Sequence, residues 1–322
     1  MPSVPTRSAF RTAERMASAL PAVLVLACRR PEWTERLLQR IVSSGCREVH
    51  VVVDGPRQDR RGDAEQVERT REVVRRFGFA AENLWLREAN VGGPFGIPKA
   101  IDWFFTRTDR GIIVEDDLLP SPSFFRFAAE LLSRYEADPR IAAIHGWTCR
   151  LRPPESSYYF SRFAPGWGWA TWASRWKDFD REGRLWAEVD PAAVLERAGR
   201  GDPGFVPYWM EKLHRVYPGG KMHWDYRWSF TNFVLGRLTI AAGVNLVDNT
   251  GWGKHATNTT QRLFCQLPAS EMQFPLRHPP TVTEDRDADR DEHDSVFLQR
   301  PSMRLRYGVA ALARGVRALI AR

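Results

Sequence analysis

The sequence predicts an α/β protein with a central, mostly parallel sheet and flanking helices. Three observations predict it. Short apolar runs recur near residues 22, 49, 84 and 112; helical or charged segments separate them; and each run closes on polar or charged residues. In sheets of this kind ligands bind beyond the carboxyl ends of the strands.

The elements follow in order. "AVLVLAC", residues 22–28, reads as a buried strand. In "RRPEWTERLLQRIVSSG", Trp33, Leu37, Leu38, Ile41 and Val42 share one helical face; Pro31 suits the first turn and Gly45 ends the helix. A second strand runs from Glu48 to Val53 and closes on Asp54-Gly55. Residues 59–77 are highly charged and read as a solvated helix. "NLWLREA" is a third strand, "NVGGPFG" a glycine-rich turn, and "IPKAIDWFF" opens the next helix. "GIIV" is the fourth strand, and Glu115-Asp116-Asp117 follow it directly. "SPSFFRFAAELLSRYEADP" is a helix with Ser121 as cap, Pro122 in its first position and an apolar stripe through Phe124, Phe125, Ala128, Leu131, Leu132 and Tyr135. "IAAIHGW" is a fifth strand. From about residue 150 the chain is richer in Trp, Pro and Gly, which predicts a second half wrapped onto the first sheet rather than an independent domain. Residues 284–294, "EDRDADRDEHD", read as a charge-rich loop or disordered stretch.

Composition bounds the function. With 47 Lys+Arg against 39 Asp+Glu, the 322-residue chain carries a formal charge of +8, compatible with nucleic acid, anionic lipid or a phosphorylated substrate. The basic residues form no dense stripe before the C-terminus, which argues against nucleic acid. Arg304, Arg306, Arg314, Arg317 and Arg322 lie among apolar residues with no acid between them; this is either a basic amphipathic helix on a membrane surface or an ordinary surface helix. The 13 Trp and 18 Phe fit either a sugar- or base-stacking surface or an aromatic core. Cys28, Cys46, Cys149 and Cys265 are scattered, with no C-x-x-C pair, which excludes zinc-finger and thioredoxin patterns and fits a reducing compartment. No run of 18 apolar residues occurs, and charges interrupt the apolar part of the first 20 residues, so neither a spanning helix nor a secretory signal is expected. The localisation this implies is cytoplasmic, with peripheral contact on the inner membrane face through the basic C-terminus.

The acidic triplet carries the chemistry. Three like charges at a strand end repel one another, and a divalent cation offsets that repulsion while leaving positions open for phosphate oxygens. Mg²⁺ and Mn²⁺ both suit such oxygen ligands; a solvated acidic turn is the plain alternative. Arg29-Arg30, Asp54 and the triplet all fall at strand ends on one sheet edge. "GGPFGIPKA" is not a phosphate-binding P-loop, because Ala100 follows Lys99.

"VLVLACRR", "VVVDG", "VEDDLLPSPSFF", "APGWGWATW", "HWDYRW" and "GWGKHAT", in this order, resemble the GT-A nucleotide-sugar glycosyltransferases, most closely the N-acetylglucosaminyltransferase I-like enzymes. The resemblance runs over roughly residues 21–260. It implies an N-terminal extension over 1–20, a GT-A domain over 21–265 (nucleotide-sugar half 21–150, acceptor and catalytic half 151–265), and a C-terminal extension over 266–322. It implies a metal-dependent, inverting transfer from a UDP-sugar to a glycan or glycolipid hydroxyl, with Mn²⁺ or Mg²⁺ as cofactor and a hexosyl or N-acetylhexosaminyl group moved. Residue by residue, Asp117 would ligate the metal, Asp116 the ribose and Glu115 the donor sugar. Asp54 would accept a hydrogen bond from uracil, and Arg30 would contact phosphate. Trp169, within Gly166–Trp169, would wall the donor and acceptor pocket, although Gly-Trp alternation equally makes a tight turn with packed indoles. Lys254 or His255 would reach the diphosphate from a closing loop, with an ordinary surface turn as the alternative. Asp225 would be the catalytic base, with a structural Asp225–Arg227 ion pair as its alternative and His223 as a fallback base. The sequence departs from the family pattern in one telling place: Gly55 follows Asp54 where better-known members carry a cysteine that bridges to the first strand. Two other classes stay open. Nucleotidyltransfer would call for a glycine-rich loop after the first strand, and "CRRPEWT" has none; a glycan-binding module would leave the triplet and Asp225 without a role.

Overall fold

The computed structural model describes residues 20–150, 153–202, 204–217, 223–251, 267–298 and 309. Its centre is an eight-stranded sheet in the order β3-β2-β1-β4-β8-β6-β9-β7. The first four strands are β1 (Ala22–Ala27), β2 (Val49–Val53), β3 (Leu84–Leu86) and β4 (Arg110–Glu115), all mutually parallel. Every residue of β1 and β2 is buried, as an apolar run covered on both faces requires. Alternation along β1 splits it between two cores. Val23, Val25 and Ala27 face α1 (Pro31–Ser43), α2 (Asp63–Arg76) and, across the sheet, α4 (Pro122–Arg134), while Ala22, Leu24 and Leu26 face α3 (Gly93–Phe104).

The α/β class and the sheet flanked by helices match the expectation from the sequence, and the departures are local. The third strand spans only Leu84–Leu86, and α3 begins already at Gly93, inside the expected glycine turn. The charged segment is helical, but Val67, Thr70, Val73 and Val74 pack its inner face. Ser121 stands at the N-cap of α4 without capping: its hydroxyl meets Ser123 Oγ at 3.0 Å instead. Gly55 passes against the neighbouring chain so closely that a Cβ there would lie 2.3 Å from Ala89 C. That contact leaves no room for the cysteine found in the resembling family, and Cys28 is accordingly a free thiol.

The second half completes the same sheet. β6 (Ile141–His145), β7 (Tyr158–Ser161), β8 (Trp169–Trp172) and β9 (Leu238–Ala242) extend it, with β8 antiparallel to both β4 and β6. A separate two-stranded ribbon joins β5 (Leu118–Pro120) to β10 (Val247–Asn249). The short helices α5 (Ala173–Trp176), α6 (Leu185–Glu188) and α7 (Pro191–Gly199) lead into α8 (Phe205–Val216) and α9 (Trp224–Leu235). Trp147, Trp169, Trp172, Trp176, Trp209, Trp224 and Trp228 are all buried, so the aromatic excess goes mainly into the core and not into an exposed stacking surface.

The charge-rich stretch corrects the sequence reading most strongly. Residues 286–292 form α10 (Arg286–Glu292), capped by Asp285, whose side chain accepts from Ala288 N at 3.0 Å, and a π-turn (His293–Phe297) follows. Asp289 is fully buried and accepts from Ser161 Oγ at 2.6 Å and Arg162 N at 3.0 Å, while buried His293 meets Asp202 at 3.1 Å. These two charges are buried with partners, not solvated. Asp289→Ala is expected to lower unfolding stability by about 2–4 kcal/mol, because Ser161 and Arg162 lose their acceptor in a dry interior; an unchanged urea midpoint would contradict this.

Among the described residues no helix is long and apolar enough to cross a membrane. The N-terminal 19 residues and the basic C-terminal segment lie outside the described residues, Val309 apart.

Candidate active site

A cleft of about 780 Å³ opens at the carboxyl ends of β1, β2 and β4. Arg29 and Arg30 enter it after β1, Asp54 after β2 and the acidic triplet after β4. The parallel register that pairs Leu26 with Glu115 brings the ends of β1 and β4 level, and Asp116 N donates to Leu26 O at 2.9 Å. The opposite wall is Ala164–Trp167 and the start of α9, where Asp225 sits. The far end holds Tyr208 and Lys212 of α8 with Val296 and Phe297 of the π-turn.

The triplet is tightly held. Asp116 is buried and accepts from Cys28 N at 3.3 Å and from Arg30 Nη1 at 2.6 Å. The same Arg30 nitrogen lies 2.8 Å from Asp117 Oδ2. The carbonyl of Asp117 accepts from Thr250 N at 2.8 Å and Thr250 Oγ1 at 2.9 Å, so the β5–β10 ribbon fixes its backbone. Burial, helped by the charges of Asp117 and Asp116, pushes the Glu115 carboxyl up to about 8, with Arg30 opposing. Burial pushes Asp116 up to about 6, opposed chiefly by Arg30. One arginine thus faces three carboxylates, a cluster that favours further positive charge.

Asp54 is engaged differently. Its carboxylate accepts from Val91 N at 3.1 Å and Gly92 N at 3.0 Å, and Arg87 Nη1 approaches to 3.5 Å. Arg87 is itself buried, stacked over Trp85 at 4.2 Å and donating to Gly96 O at 2.9 Å. Asn90 donates to Gly55 O at 2.9 Å. Asp54 therefore organises the turn before α3 as well as facing the cleft.

Asp225 is half-buried at the second position of α9, after His223. Burial holds its carboxyl above the ordinary aspartate value, against His223 and the backbone N–H of Tyr226. Its charge is felt at Glu115 across the cleft. The alternative ion pair with Arg227 does not form: Arg227 Nη1 donates to Arg181 O at 2.9 Å, and the guanidinium stacks on Tyr217 at 5.0 Å.

Trp169 requires a correction. It is 2 % exposed, paired across β8 to Ile113 and His145, and packed against Trp224 at 5.9 Å, so it is core and not pocket wall. The indole that lines the cleft is Trp167. Trp167 lies before the strand, and Gly168, at φ +68°, turns the backbone between the two indoles, so Trp169 enters the sheet while Trp167 stays at the cleft. Lys254 and His255 lie outside the described residues. The structure therefore brings Arg30, Asp54, Glu115, Asp116, Asp117 and Asp225 to one cleft. Sequence reasoning missed Arg87, Asn90, Tyr208, Lys212 and the π-turn residues. Only the last carried a readable signal, an N-cap Asp285 followed by the apolar Val296-Phe297-Leu298.

Among the described residues no three His, Cys, Asp or Glu side chains form a ready-made metal cage. The donor set instead suits a cation that takes one or two carboxylates and completes its shell with substrate phosphates and water, the habit of Mg²⁺. Asp117, with its side chain 20 % exposed at the cleft, is the carboxylate open to such an ion.

No family model matches the chain, and no curated protein matches it. Among solved structures it is similar to the mannosyltransferase PcManGT from Pyrobaculum calidifontis, determined in complex with GDP-Man and Mn²⁺, at 19% sequence identity and a TM-score of 0.32. The match covers 52% of this chain and 52% of that one, so the chain spans about half the length of that neighbour.

Proposed function

We propose that this protein is a metal-dependent glycosyltransferase that moves a sugar, with inversion, from a nucleoside diphosphate sugar to a hydroxyl of a glycan or glycolipid. The observation that carries the reading is the shared cleft: the triplet after β4, Arg30, Asp54 and the half-buried Asp225 all line one cavity. Asp54 and the Val91-Gly92 turn take the base, with UDP as the preferred donor nucleotide. Asp116 receives the ribose and Glu115 the donor sugar, both as hydrogen-bond acceptors. A divalent cation bound through Asp117 would neutralise charge growing on the leaving diphosphate.

Asp225 acts as general base. It accepts the proton of the acceptor hydroxyl as that oxygen forms its bond to the anomeric carbon, and the bond to the diphosphate breaks with its electron pair leaving on phosphate. Attack from the face opposite the leaving group inverts the centre. The experiment is a donor-hydrolysis assay with UDP- and GDP-sugars, Mn²⁺ and no acceptor. Release of nucleoside diphosphate that stops on chelation supports the reading, and no release from any donor with either metal overturns it.

We extend the proposal to an acceptor presented at an anionic lipid surface, on the strength of the five arginines between residues 304 and 322. Co-sedimentation with vesicles containing anionic lipid is expected to fall several-fold when these arginines are changed to glutamine; unchanged binding excludes the extension.

A further inference from the structure

Arg30 stands at the N-cap of α1, and one of its nitrogens spans two carboxylates, 2.6 Å from Asp116 Oδ1 and 2.8 Å from Asp117 Oδ2. The side chain is only 17% exposed, and its guanidinium lies 5.2 Å from the Trp33 ring centre. Asp116 is fixed from behind by Cys28 N, and Asp117 by the β5–β10 ribbon. A positive charge from the chain itself therefore occupies the space between the two carboxylates. A dication ligated through Asp117 and a guanidinium on the same oxygen repel each other at such short range.

We infer that Arg30 couples the two binding events, so that metal and nucleoside diphosphate bind together rather than in sequence. The inference rests on the reading of Asp117 as the metal ligand. Metal arriving alone has to displace Arg30 from Asp117 with no new anion to receive it. Metal arriving with a diphosphate lets Arg30 exchange a carboxylate oxygen for a phosphate oxygen, which its planar donors fit well. The coupling is reciprocal: the diphosphate strengthens metal binding by the same factor by which metal strengthens diphosphate binding. Arg30 thereby has two positions, one on the carboxylates and one on the diphosphate, and the free protein shows the first.

The test measures affinity and not turnover. Mn²⁺ alone, UDP alone and the pair are titrated by calorimetry, with free Mn²⁺ followed by its paramagnetic resonance signal, into the wild type, Arg30→Gln, Arg30→Met and Arg29→Gln. Arg29 removes an equal charge from the next position, but its partner is Asp63 at 3.7 Å and not the triplet. The expected result has opposite signs: the Arg30 variants bind Mn²⁺ alone roughly tenfold more tightly than wild type, bind UDP with Mn²⁺ roughly tenfold more weakly, and lose most of the coupling. Arg29→Gln leaves affinity for Mn²⁺ alone near the wild-type value. Equal tightening by Arg29→Gln overturns the inference, because net charge then explains it. Unchanged Mn²⁺ affinity in both Arg30 variants, with the wild type still binding the pair, overturns the role of Arg30 alone. UDP binding as tight under chelation as with Mn²⁺ also overturns it, since Arg30 then stands in for a metal throughout. Absence of Mn²⁺ binding in every arm removes the metal-site reading, and this inference with it.

Discussion

Asp225→Asn is expected to lower the rate of sugar transfer by roughly 10²–10⁴-fold while leaving Mn²⁺-dependent nucleotide binding near wild type. The carboxamide keeps the shape of the side chain at the second position of α9 but cannot take the acceptor proton. No ion pair with Arg227 is lost, because Arg227 already donates to Arg181 O and Asp180 O. The pH dependence gives a second signature. A general base works deprotonated, so kcat/KM falls as pH drops through its pKa. Burial raises that pKa above the ordinary aspartate value, more than His223 and the Tyr226 N–H lower it. The acidic limb of the wild-type profile therefore lies above the range of an exposed aspartate, about 3.9, and the asparagine variant lacks it. Transfer at the wild-type rate with the same acidic limb would assign the base elsewhere, with the cleft-lining His223 next in line.

Gly251→Ala, which changes no charged group, is expected to weaken Mn²⁺-dependent nucleotide binding by about 10–100-fold, the range typical of a lost ligand-supporting contact. A Cβ at Gly251 would stand 2.3 Å from Asp117 Oδ2 and 2.8 Å from its Cγ. The carboxylate cannot retreat without leaving Arg30, which holds the same oxygen at 2.8 Å. One methyl group thus displaces the carboxylate proposed to ligate the metal. The thermal midpoint is expected to stay close to wild type, because the crowding falls on a side chain at the cleft and not on the core. Wild-type metal-dependent affinity in this variant would show that the position of Asp117 does not matter to donor binding.

Much of the frame was legible because the physics is local. The apolar runs ending at Ala27, Val53 and Val114 hold a single polar residue, His50, which is itself buried, so they read as doubly covered strands, and doubly covered parallel strands carry their ligand groups at the carboxyl ends. The same pattern puts Arg30, Asp54 and the triplet on one edge of the sheet. What was not legible depends on long-range partners. Asp289 looks solvated in sequence because the groups that donate to it, Ser161 Oγ and Arg162 N, lie more than 120 residues away. Trp167 and Trp169 are indistinguishable in "GWGWATW"; only the pairing of β8 with β4 and β6 decides which indole turns inward. Arg87 hides for the same reason: its role follows from meeting Asp54, 33 residues earlier, at the turn before α3. Gly55 is the converse case, a departure from a family pattern whose cause is the Ala89 backbone pressed against it.

The most direct measurement is calorimetric titration of UDP, GDP and their common sugar conjugates, with and without Mn²⁺, into the wild type and Asp117→Ala. The account predicts metal-dependent binding of a nucleoside diphosphate, UDP first, that disappears in the variant. No binding of any nucleotide with any metal would mean that Glu115-Asp116-Asp117 is an acidic turn neutralised by Arg30 and nothing more, and the glycosyltransferase reading would fall with it.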